Sequence, residues 1–395
     1  MSGWSARVGG GASRTGGLPD FPWDTIREAA QRARTHPDGI VDLSVGTPVD
    51  PTPEVVQRAL RDAADAPGYP LTAGTPALRE AAAGWAARSR GAVGLDPAAV
   101  LPTVGSKELV AWLPTQLGLG PGDVVVIPEV AYPTYDVGAR LAGARAVAVP
   151  PGGWPTPDEL AGDRVRLVWL NSPSNPTGAV AGVEELRASV QRARDEGAVV
   201  ASDECYAELA WDVPEVPSVL DPRVAGASHD GLLLVTSLSK RSNLAGYRGA
   251  VVMGDPELVA HLLGVRKHAG MIVPTPVQAA VAAAFSDDEH VAVQRERYRA
   301  RRAVLRTALE GAGLLVEHSE AGLYLWTRSA DSTDGPDGAA GPTGRELLDR
   351  LAGVGVLVAP GDFYGPSARA HVRVALTASD ERVAAAAARL GSLAR

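Results

Sequence analysis

The sequence predicts an α/β protein with a large domain and a smaller α+β domain. In the first two thirds of the chain, short apolar runs alternate with longer, alanine-rich segments of helical spacing. The apolar runs are continuous, which is typical of strands that are buried on both faces of a parallel sheet. The length of 395 residues also exceeds the size at which one hydrophobic core usually stops growing, and this favours two domains.

Five apolar runs predict the main sheet, and the clearest helix lies between two of them. This helix covers 183–194, where apolar side chains recur at helical spacing. The predicted strands cover 124–127, 165–170, 198–201, 232–235 and 250–253. Because strands that alternate with helices usually run in the same direction, the sheet is expected to be parallel.

The pattern changes near Ser286, where the smaller domain is expected to begin. An arginine-rich helix is predicted over 291–310, and three short strand-like runs follow it. These runs cover 322–326, 355–358 and 371–376. A helix followed by separate short strands is an α+β pattern, so this part of the chain differs in class from the parallel sheet.

Composition narrows the class of protein further. The net charge of −8 and the pI near 5.5 disfavour a general nucleic-acid binder, and no apolar run is long enough to span a bilayer. The one cysteine, Cys205, excludes an internal disulfide and a cysteine-based zinc cluster, which favours a reducing cytoplasm. No metal site is predicted. The glycine-rich stretches 1–17 and 329–344 are expected to be a disordered tail and a surface loop.

The segment Thr236–Lys240, directly after a predicted strand, carries the strongest chemical signal. A buried lysine amine can form a Schiff base with an aldehyde, which assigns that role to Lys240. Ser237, Ser239 and Arg248 supply two hydroxyls and a guanidinium, the groups that suit a phosphate. Pyridoxal 5′-phosphate needs both features, so the sequence predicts an enzyme that uses this cofactor.

Other motifs are expected at the same edge of the sheet, because ligands bind beyond the carboxyl ends of parallel strands. Gly105, Ser106 and Lys107 precede an amphipathic run, and backbone N–H groups at a helix start would bind a phosphate there. Asn175 lies in a loop directly after one predicted strand, and Asp203 follows another. These residues are therefore predicted to contact the cofactor.

The remaining roles follow from the chemistry of the cofactor ring. Asp203 is the candidate carboxylate that keeps the pyridine nitrogen protonated, so that the ring acts as an electron sink. Tyr206 and Asn175 would reach the ring oxygen, and Tyr132 would stack on the ring face. Lys240 would also shuttle a proton at the substrate Cα. The predicted catalytic residues are Lys240, Asp203 and Tyr206.

A substrate with an α-carboxylate needs a group that binds it, and arginine is the usual choice because its guanidinium binds both oxygens. Arg373 lies inside a short apolar run near the end of the chain, where a single arginine requires an explanation. Binding the substrate carboxylate is the role predicted for it.

The order of these motifs resembles the class I and II aminotransferases, a pyridoxal-phosphate family of fold type I. The resemblance rests on Asn175-Pro-Thr-Gly, Asp203-Glu-Cys-Tyr, Ser237-Leu-Ser-Lys, Arg248 and Arg373-Val-Ala-Leu, and it covers the chain from about Leu18 to the end. It implies a mostly parallel, seven-stranded sheet in a large domain. The implied division is a large domain over 46–285 and a small domain formed by 18–45 and 286–395.

The resemblance also implies three roles that the residues alone do not reveal. Tyr69 matches the tyrosine that reaches the phosphate bound by the partner subunit, so the active unit would be a homodimer with shared sites. Gly46 matches a backbone contact near the substrate carboxylate. Asn175 and Pro176 match a peptide bond that is often cis in relatives.

Four further segments resemble the actinobacterial N-succinyldiaminopimelate aminotransferases of lysine biosynthesis. They cover 18–24, 45–53, 203–211 and 266–274. The implied reaction moves an amino group between L-glutamate and N-succinyl-2-amino-6-oxopimelate, which becomes N-succinyl-LL-2,6-diaminopimelate, by ping-pong Schiff-base chemistry on Lys240. An aspartate, aromatic or kynurenine-type aminotransferase and a carbon–sulfur lyase of the same fold remain open as alternatives. Neither nucleic acid nor a membrane is an expected partner.

Overall fold

A seven-stranded sheet forms the centre of the protein. The computed structural model describes residues 17–332 and 341–393. The predicted disordered tail therefore lies outside the described residues except for Gly17, and so do positions 333–340 of the predicted surface loop.

The strands and the α-helices are numbered separately in chain order. The strands are Val41–Asp42 (β1), Val100–Val104 (β2), Asp123–Pro128 (β3), Arg145–Val149 (β4), Arg164–Asn171 (β5), Val199–Asp203 (β6), Leu232–Ser237 (β7), Gly249–Gly254 (β8), Leu314–Glu317 (β9), Tyr324–Ser329 (β10), Val356–Leu357 (β11), Ala359–Pro360 (β12) and His371–Ala375 (β13). The α-helices are Arg27–Arg34 (α1), Glu54–Asp62 (α2), Pro76–Arg90 (α3), Ser106–Gln116 (α4), Thr134–Ala142 (α5), Pro157–Leu160 (α6), Val183–Asp195 (α7), Pro222–Ala225 (α8), Leu238–Arg241 (α9), Pro256–Ala269 (α10), Thr275–Ser286 (α11), Glu289–Gly311 (α12), Gly344–Gly353 (α13) and Asp380–Gly391 (α14).

The main sheet confirms the prediction of a mostly parallel, seven-stranded α/β sheet. Its strand order is β2-β8-β7-β6-β5-β3-β4, and only β8 runs antiparallel to its neighbours. The five predicted runs became β3, β5, β6, β7 and β8, while β2 and β4 were not predicted as strands. Both are edge strands: Pro102 interrupts β2, and β4 begins with the exposed Arg145. Edge strands tolerate proline and polar residues, so they lack the continuous apolar run of a buried strand.

A smaller antiparallel sheet lies in the second half of the chain. Its strand order is β12-β13-β10-β9, in agreement with the predicted α+β pattern. Near the start of the chain, β1 pairs in parallel with β11, so residues 41–42 lie beside 356–357. This pairing packs the N-terminal segment against the C-terminal part of the chain. The exact domain boundaries stay a prediction.

Helices cover both faces of the main sheet, as continuous apolar strands require. One face packs against a cluster that includes Leu78, Trp85 and Phe285, and the other against Leu109, Leu113 and other apolar residues. A third cluster lies between the antiparallel sheet and its helices. Among the described helices, none is both long enough and apolar enough to cross a membrane.

The directions of the strands bring the predicted catalytic and cofactor-binding residues to one edge of the main sheet. Strands β5, β6 and β7 are parallel neighbours that end at Asn171, Asp203 and Ser237. Strand β2 ends at the same edge, because it is antiparallel to β8 and its last residue, Val104, pairs with Gly249 at the start of β8. Arg248, which directly precedes β8, therefore lies beside the end of β2. This edge is the candidate site.

Candidate active site

One side of the site is a group of polar and cationic residues at the ends of β2 and β7. Gly105 has a φ of 78°, and a Cβ atom added to it would lie 2.1 Å from Nη2 of Arg248. The backbone conformation therefore favours glycine at this position, and its missing side chain lets the Arg248 guanidinium lie directly over it. Partial burial and the Arg248 charge lower the pKa of the Lys107 amine, which lies in the first turn of α4. Two cations next to a helix N-terminus are suited to bind an anion.

Two serine hydroxyls lie beside this group, at the junction of β7 and α9. The Ser237 hydroxyl donates to Ser239 Oγ over 2.8 Å, and the Ser239 backbone N–H donates to Ser237 Oγ over 3.1 Å. Both residues are buried. The predicted phosphate-binding residues thus occupy neighbouring strand ends. Ser106 lies close enough to Cys205 to hydrogen bond with its thiol.

Lys240 lies in α9 with its amine hydrogen bonded to the backbone oxygen of Gly46. Burial lowers the pKa of the Lys240 amine, and the positive charges of Arg373 and Arg248 lower it further. A lysine with a lowered pKa has more of the neutral amine that can attack a carbonyl carbon. Lys240 is therefore suited to nucleophilic chemistry. Gly46, which was predicted only from the resemblance, directly contacts it.

Asp203 ends β6 as a buried carboxylate. The Tyr135 hydroxyl donates to Asp203 Oδ2 over 2.9 Å, and the backbone N–H of Cys205 donates to Oδ1 over 3.2 Å. Burial raises the pKa of the Asp203 carboxyl, although the hydrogen bonds from Cys205 and Tyr135 partly oppose this effect. A buried carboxylate is stabilised when a cationic N–H binds it. Asp203 thus fits the pyridine nitrogen of pyridoxal phosphate.

Two tyrosines meet between Asp203 and Arg373. The hydroxyls of Tyr206 and Tyr324 are 3.1 Å apart, and their rings lie edge to face at 5.7 Å. Burial raises the pKa of Tyr206, so its phenol stays protonated. Tyr324 was missed by sequence reasoning. A Cβ atom on Gly46 would lie 2.2 Å from the Tyr324 hydroxyl, so Tyr324 occupies the space that glycine leaves.

Arg373 forms the opposite side of the site and is only 3 % exposed. Its Nη1 donates to Asn175 Oδ1 over 2.8 Å, and its Nη2 donates to the backbone oxygen of Ser44 over 2.7 Å. The guanidinium lies 3.9 Å from the centre of the Tyr324 ring and 5.1 Å from that of Tyr364. Its Nε has no hydrogen-bond partner among the described residues. The buried guanidinium thus keeps a positive charge that no carboxylate of the described residues neutralises, which suits it to attract a ligand carboxylate.

The cations of the site share one property that distinguishes them from the buried arginines elsewhere. Among the ion pairs of residues 17–332 and 341–393, none includes Lys107, Lys240, Arg248 or Arg373. In contrast, the buried Arg90 and Arg301 bind Glu204 and Asp50 at 2.7 and 2.6 Å. Four cations without acidic partners create a positive field. Such a site fits a phosphate at one end and a carboxylate at the other.

Two further residues, Tyr132 and Tyr69, were predicted to bind the cofactor. The Tyr132 ring contacts the Tyr135 ring edge to face at 5.8 Å, and burial raises the pKa of Tyr132 to about 12. Tyr69 is fully exposed and makes no hydrogen bond to the described residues of its own chain. Its predicted contact with a partner subunit stays a prediction.

Sequence reasoning missed Tyr135, Tyr324 and Tyr364. Tyr135 lies in the first turn of α5, and its contact with Asp203 joins residues 68 positions apart, which the local sequence does not reveal. Tyr324 lies in a predicted strand, but its position next to Arg373 depends on antiparallel pairing, in which Tyr324 is opposite Ala375. This register cannot be derived from the single sequence.

Comparisons with known proteins identify the family of this chain. The family model for aminotransferase class I and II matches residues 38–390. The chain is 58 % identical over 373 residues to the 4-dedimethylamino-4-oxo-anhydrotetracycline transaminase of Streptomyces rimosus, which covers 94 % of this chain and 99 % of that protein. It is 56 % identical over 388 residues to a "probable aminotransferase" of Mycobacterium tuberculosis, which covers 98 % of this chain and 89 % of that protein.

The fold is also similar to solved structures. One is a probable N-succinyldiaminopimelate aminotransferase from Thermus thermophilus, with a TM-score of 0.81 and 30 % identity. The match covers 94 % of this chain and all of the other.

Proposed function

Because the chain belongs to the class I and II aminotransferases, which depend on pyridoxal phosphate, we propose that it is a transaminase acting on N-succinyl-LL-2,6-diaminopimelate. In this reaction the amino group moves to 2-oxoglutarate, and the reverse direction uses L-glutamate and N-succinyl-2-amino-6-oxopimelate. The observation that carries the proposal is that Lys240 and the three cations around it, Lys107, Arg248 and Arg373, have no acidic partners among the described residues. It supports an enzyme whose cofactor and substrates are anions.

In the proposed site, each residue has a separate task. Lys107, Arg248, Ser237 and Ser239 would hold the phosphate of pyridoxal phosphate, and Asp203 would keep a proton on its pyridine nitrogen. When bound, this cofactor supplies an electrophilic carbon for amines and a ring that withdraws electrons from the substrate Cα. Tyr206 would donate its phenol proton to the ring oxygen.

The tasks of substrate binding and proton transfer fall to residues on the other side. Arg373 would bind the α-carboxylate with its guanidinium, which Asn175 holds in place. The Lys240 amine would then take the proton from the substrate Cα and return it at the end of the transfer. The rings of Tyr324 and Tyr364 would exclude water from the carboxylate.

The choice of substrate rests on the resemblance of four segments and on the Thermus thermophilus structure. A second candidate is an aromatic polycyclic ketone, since the Streptomyces rimosus relative is named for such a substrate and is 58 % identical. A row of aromatic rings favours this second candidate. It runs from Tyr364 beside Arg373 through Phe363 and Trp23 to Phe21, with ring centres 5.5 to 6.3 Å apart.

We also propose that the active unit is a cytoplasmic homodimer in which Tyr69 reaches the phosphate of the partner's site. The full exposure of Tyr69 supports a contact outside its own chain. Tyr69→Phe and Lys240→Ala chains should be mixed under conditions that exchange subunits. Recovery of activity above that of either parent would support shared sites. The absence of any recovery in verified hybrids would contradict them.

The substrate is tested by single half-reactions, in which the visible absorbance of the bound cofactor is followed after one amino compound is added. L-glutamate and N-succinyl-LL-2,6-diaminopimelate should each change the spectrum, whereas aspartate should not. In parallel, mass spectrometry would detect amination of 4-dedimethylamino-4-oxo-anhydrotetracycline with L-glutamate as donor. A response to L-glutamate combined with amination of only this ketone would replace the first candidate by the second.

A further inference from the structure

A cavity separate from the Lys240 site lies elsewhere in the described part of the chain. It has a volume of about 560 Å³ and lies between the β3–β5 side of the main sheet, α7 and the antiparallel sheet. Its lining includes Ser174 and Thr177 but none of the four cations, Asp203 or Asn175. Cavities of this volume between layers of a protein are typical of small-molecule sites.

The apolar part of the lining is aromatic and aliphatic. Trp154 and Trp326 line the cavity together with Val130, Val180 and Leu186. The Trp326 ring is stacked on the His371 ring, with centres 4.7 Å apart and planes 6° apart. These surfaces suit a ligand with an apolar body.

The charged part of the lining is acidic. Glu129, Glu185 and Glu317 line the cavity together with two histidines, and no lysine or arginine of the described chain does so. Glu317 binds Arg328 at 2.6 Å and His371 at 2.8 Å, whereas Glu129 and Glu185 form no ion pair among the described residues. A lining of this charge repels carboxylates and phosphates, so the cavity is unsuited to the anions that fit the Lys240 site.

One buried polar atom in the lining has no partner. His371 is 7 % exposed, and its Nε2 lies 2.8 Å from Glu317 Oε2, but its Nδ1 has no hydrogen-bond partner in the described part of the chain. When Nε2 donates to the carboxylate, Nδ1 is left as an acceptor. The Nδ1 atom has almost no accessible surface, so a ligand in the cavity does not reach it, and an ammonium group there would be attracted by the two unpaired glutamates, Glu129 and Glu185.

We propose that this cavity is a second ligand site, which binds a small apolar molecule carrying one protonated amine. Its walls include the two elements that hold the substrate-binding pair: Ser174 directly precedes Asn175, and His371 lies two residues before Arg373 in β13. A bound ligand contacts both elements at once. Because neither Asn175 nor Arg373 lines the cavity, this ligand would bind without competing for the Lys240 site.

The proposal is tested with three indole compounds of similar size and different charge. Gramine carries a tertiary ammonium that cannot condense with an aldehyde, indole-3-methanol is neutral, and indole-3-acetate is an anion. Isothermal titration calorimetry of the holoenzyme should show one binding site for gramine. Gramine should bind about tenfold more tightly than indole-3-methanol, and indole-3-acetate should bind most weakly. Saturating 2-oxoglutarate should not remove gramine binding.

Variants locate the site. Glu129→Gln with Glu185→Gln removes both unpaired charges and should reduce gramine affinity about tenfold, to that of the neutral compound. The matched control combines Glu184→Gln and Glu196→Gln. These changes remove two exposed charges at the two ends of α7, the helix that contains Glu185, but neither residue lines the cavity. This control should bind gramine like the wild type. Equal binding of the three compounds, competition by 2-oxoglutarate, an equal response of both double variants or the absence of saturable binding would overturn the proposal.

Discussion

The two anion-binding regions of the candidate site are built in different ways. The phosphate region, formed by Gly105–Lys107, Ser237, Ser239 and Arg248, lies at strand ends of one sheet, and its two cations are exposed. The carboxylate region, formed by Ser44, Asn175 and Arg373, joins three distant parts of the chain, and its one cation is buried. The exposed cations and the buried cation should therefore contribute differently to ligand binding.

The side chains of Lys107 and Arg248 are exposed, and although the Lys107 amine is partly desolvated, both cations keep contact with water before a ligand binds, so each contributes a modest share of the binding energy. Arg373 has already lost its water, and neutral oxygens are its only hydrogen-bond acceptors among the described residues. A buried charge of this kind gains strongly when a carboxylate approaches. We therefore expect binding of the substrate α-carboxylate to depend mainly on Arg373 and cofactor retention to be shared by several residues.

Lys240 lies between the two regions, and its removal should have the largest effect. Lys240→Ala should lower turnover by ~10⁴-fold or more, because both the nucleophile and the proton carrier are lost. Steady-state kinetics would measure turnover, and circular dichroism would verify the fold. Turnover within tenfold of wild type would exclude Lys240 from both roles.

Removing the charge of the carboxylate region should have the next largest effect. Arg373→Gln should lower kcat/KM for every α-amino acid donor by about 10²–10³-fold, because a desolvated charge pair with the substrate is lost. Cofactor content, measured by absorbance after dialysis, should be unchanged. Arg328→Gln, on the neighbouring strand and paired with Glu317, serves as a control whose kcat/KM should stay near wild type.

A smaller effect is expected at Asp203, which lies between the regions. Tyr135→Phe removes a hydrogen bond that lowers the Asp203 pKa, so this pKa should rise further above its usual value. The carboxylate must be ionised to hold a proton on the cofactor nitrogen, and activity is lost as pH falls through its pKa. The acidic limb of the kcat/KM profile should therefore move to higher pH, with about a tenfold loss in rate.

The control for this experiment is Tyr132→Phe, because Tyr132 makes no hydrogen bond to Asp203. Its acidic limb should stay in place. An identical shift in both variants would show that the hydrogen bond from Tyr135 does not set the Asp203 pKa.

The smallest effect is expected for one exposed cation of the phosphate region. Lys107→Ala should weaken cofactor binding only several-fold, since Arg248, two serines and the α4 N-terminus remain. Equilibrium dialysis at two salt concentrations would measure this change, which should shrink at high salt. If Lys107→Ala weakened cofactor binding by as large a factor as Arg373→Gln weakens substrate binding, the distinction between the two regions would not hold.

The two regions also differ in how far the sequence predicted them. Most of the phosphate region could be predicted from local patterns: Ser237 and Ser239 lie at the end of a predicted buried strand, Arg248 precedes the next predicted strand, and Gly105–Lys107 precede an amphipathic run. In the carboxylate region, Arg373 was predicted as an unexplained charge in an apolar run. Its neighbours Ser44 and Tyr324 were not, since their positions depend on the pairing of β1 with β11 and of β10 with β13.

The strands of the main sheet were likewise predicted only in part. The buried strands were predicted because continuous apolar runs mark them, whereas the edge strands β2 and β4 were missed. Their residues meet solvent or carry a proline, which removes the signal. Local patterns thus identify elements and strand-end motifs, while contacts between distant segments require the structure.

The most direct test of the distinction between the two regions compares Arg248→Gln with Arg373→Gln in two measurements. One is the affinity for pyridoxal phosphate by equilibrium dialysis, and the other is the half-saturating L-glutamate concentration at saturating cofactor. Arg248→Gln should weaken only cofactor binding, and Arg373→Gln should weaken only the binding of L-glutamate. Equal losses of both affinities in both variants would contradict the existence of two separate anion-binding regions.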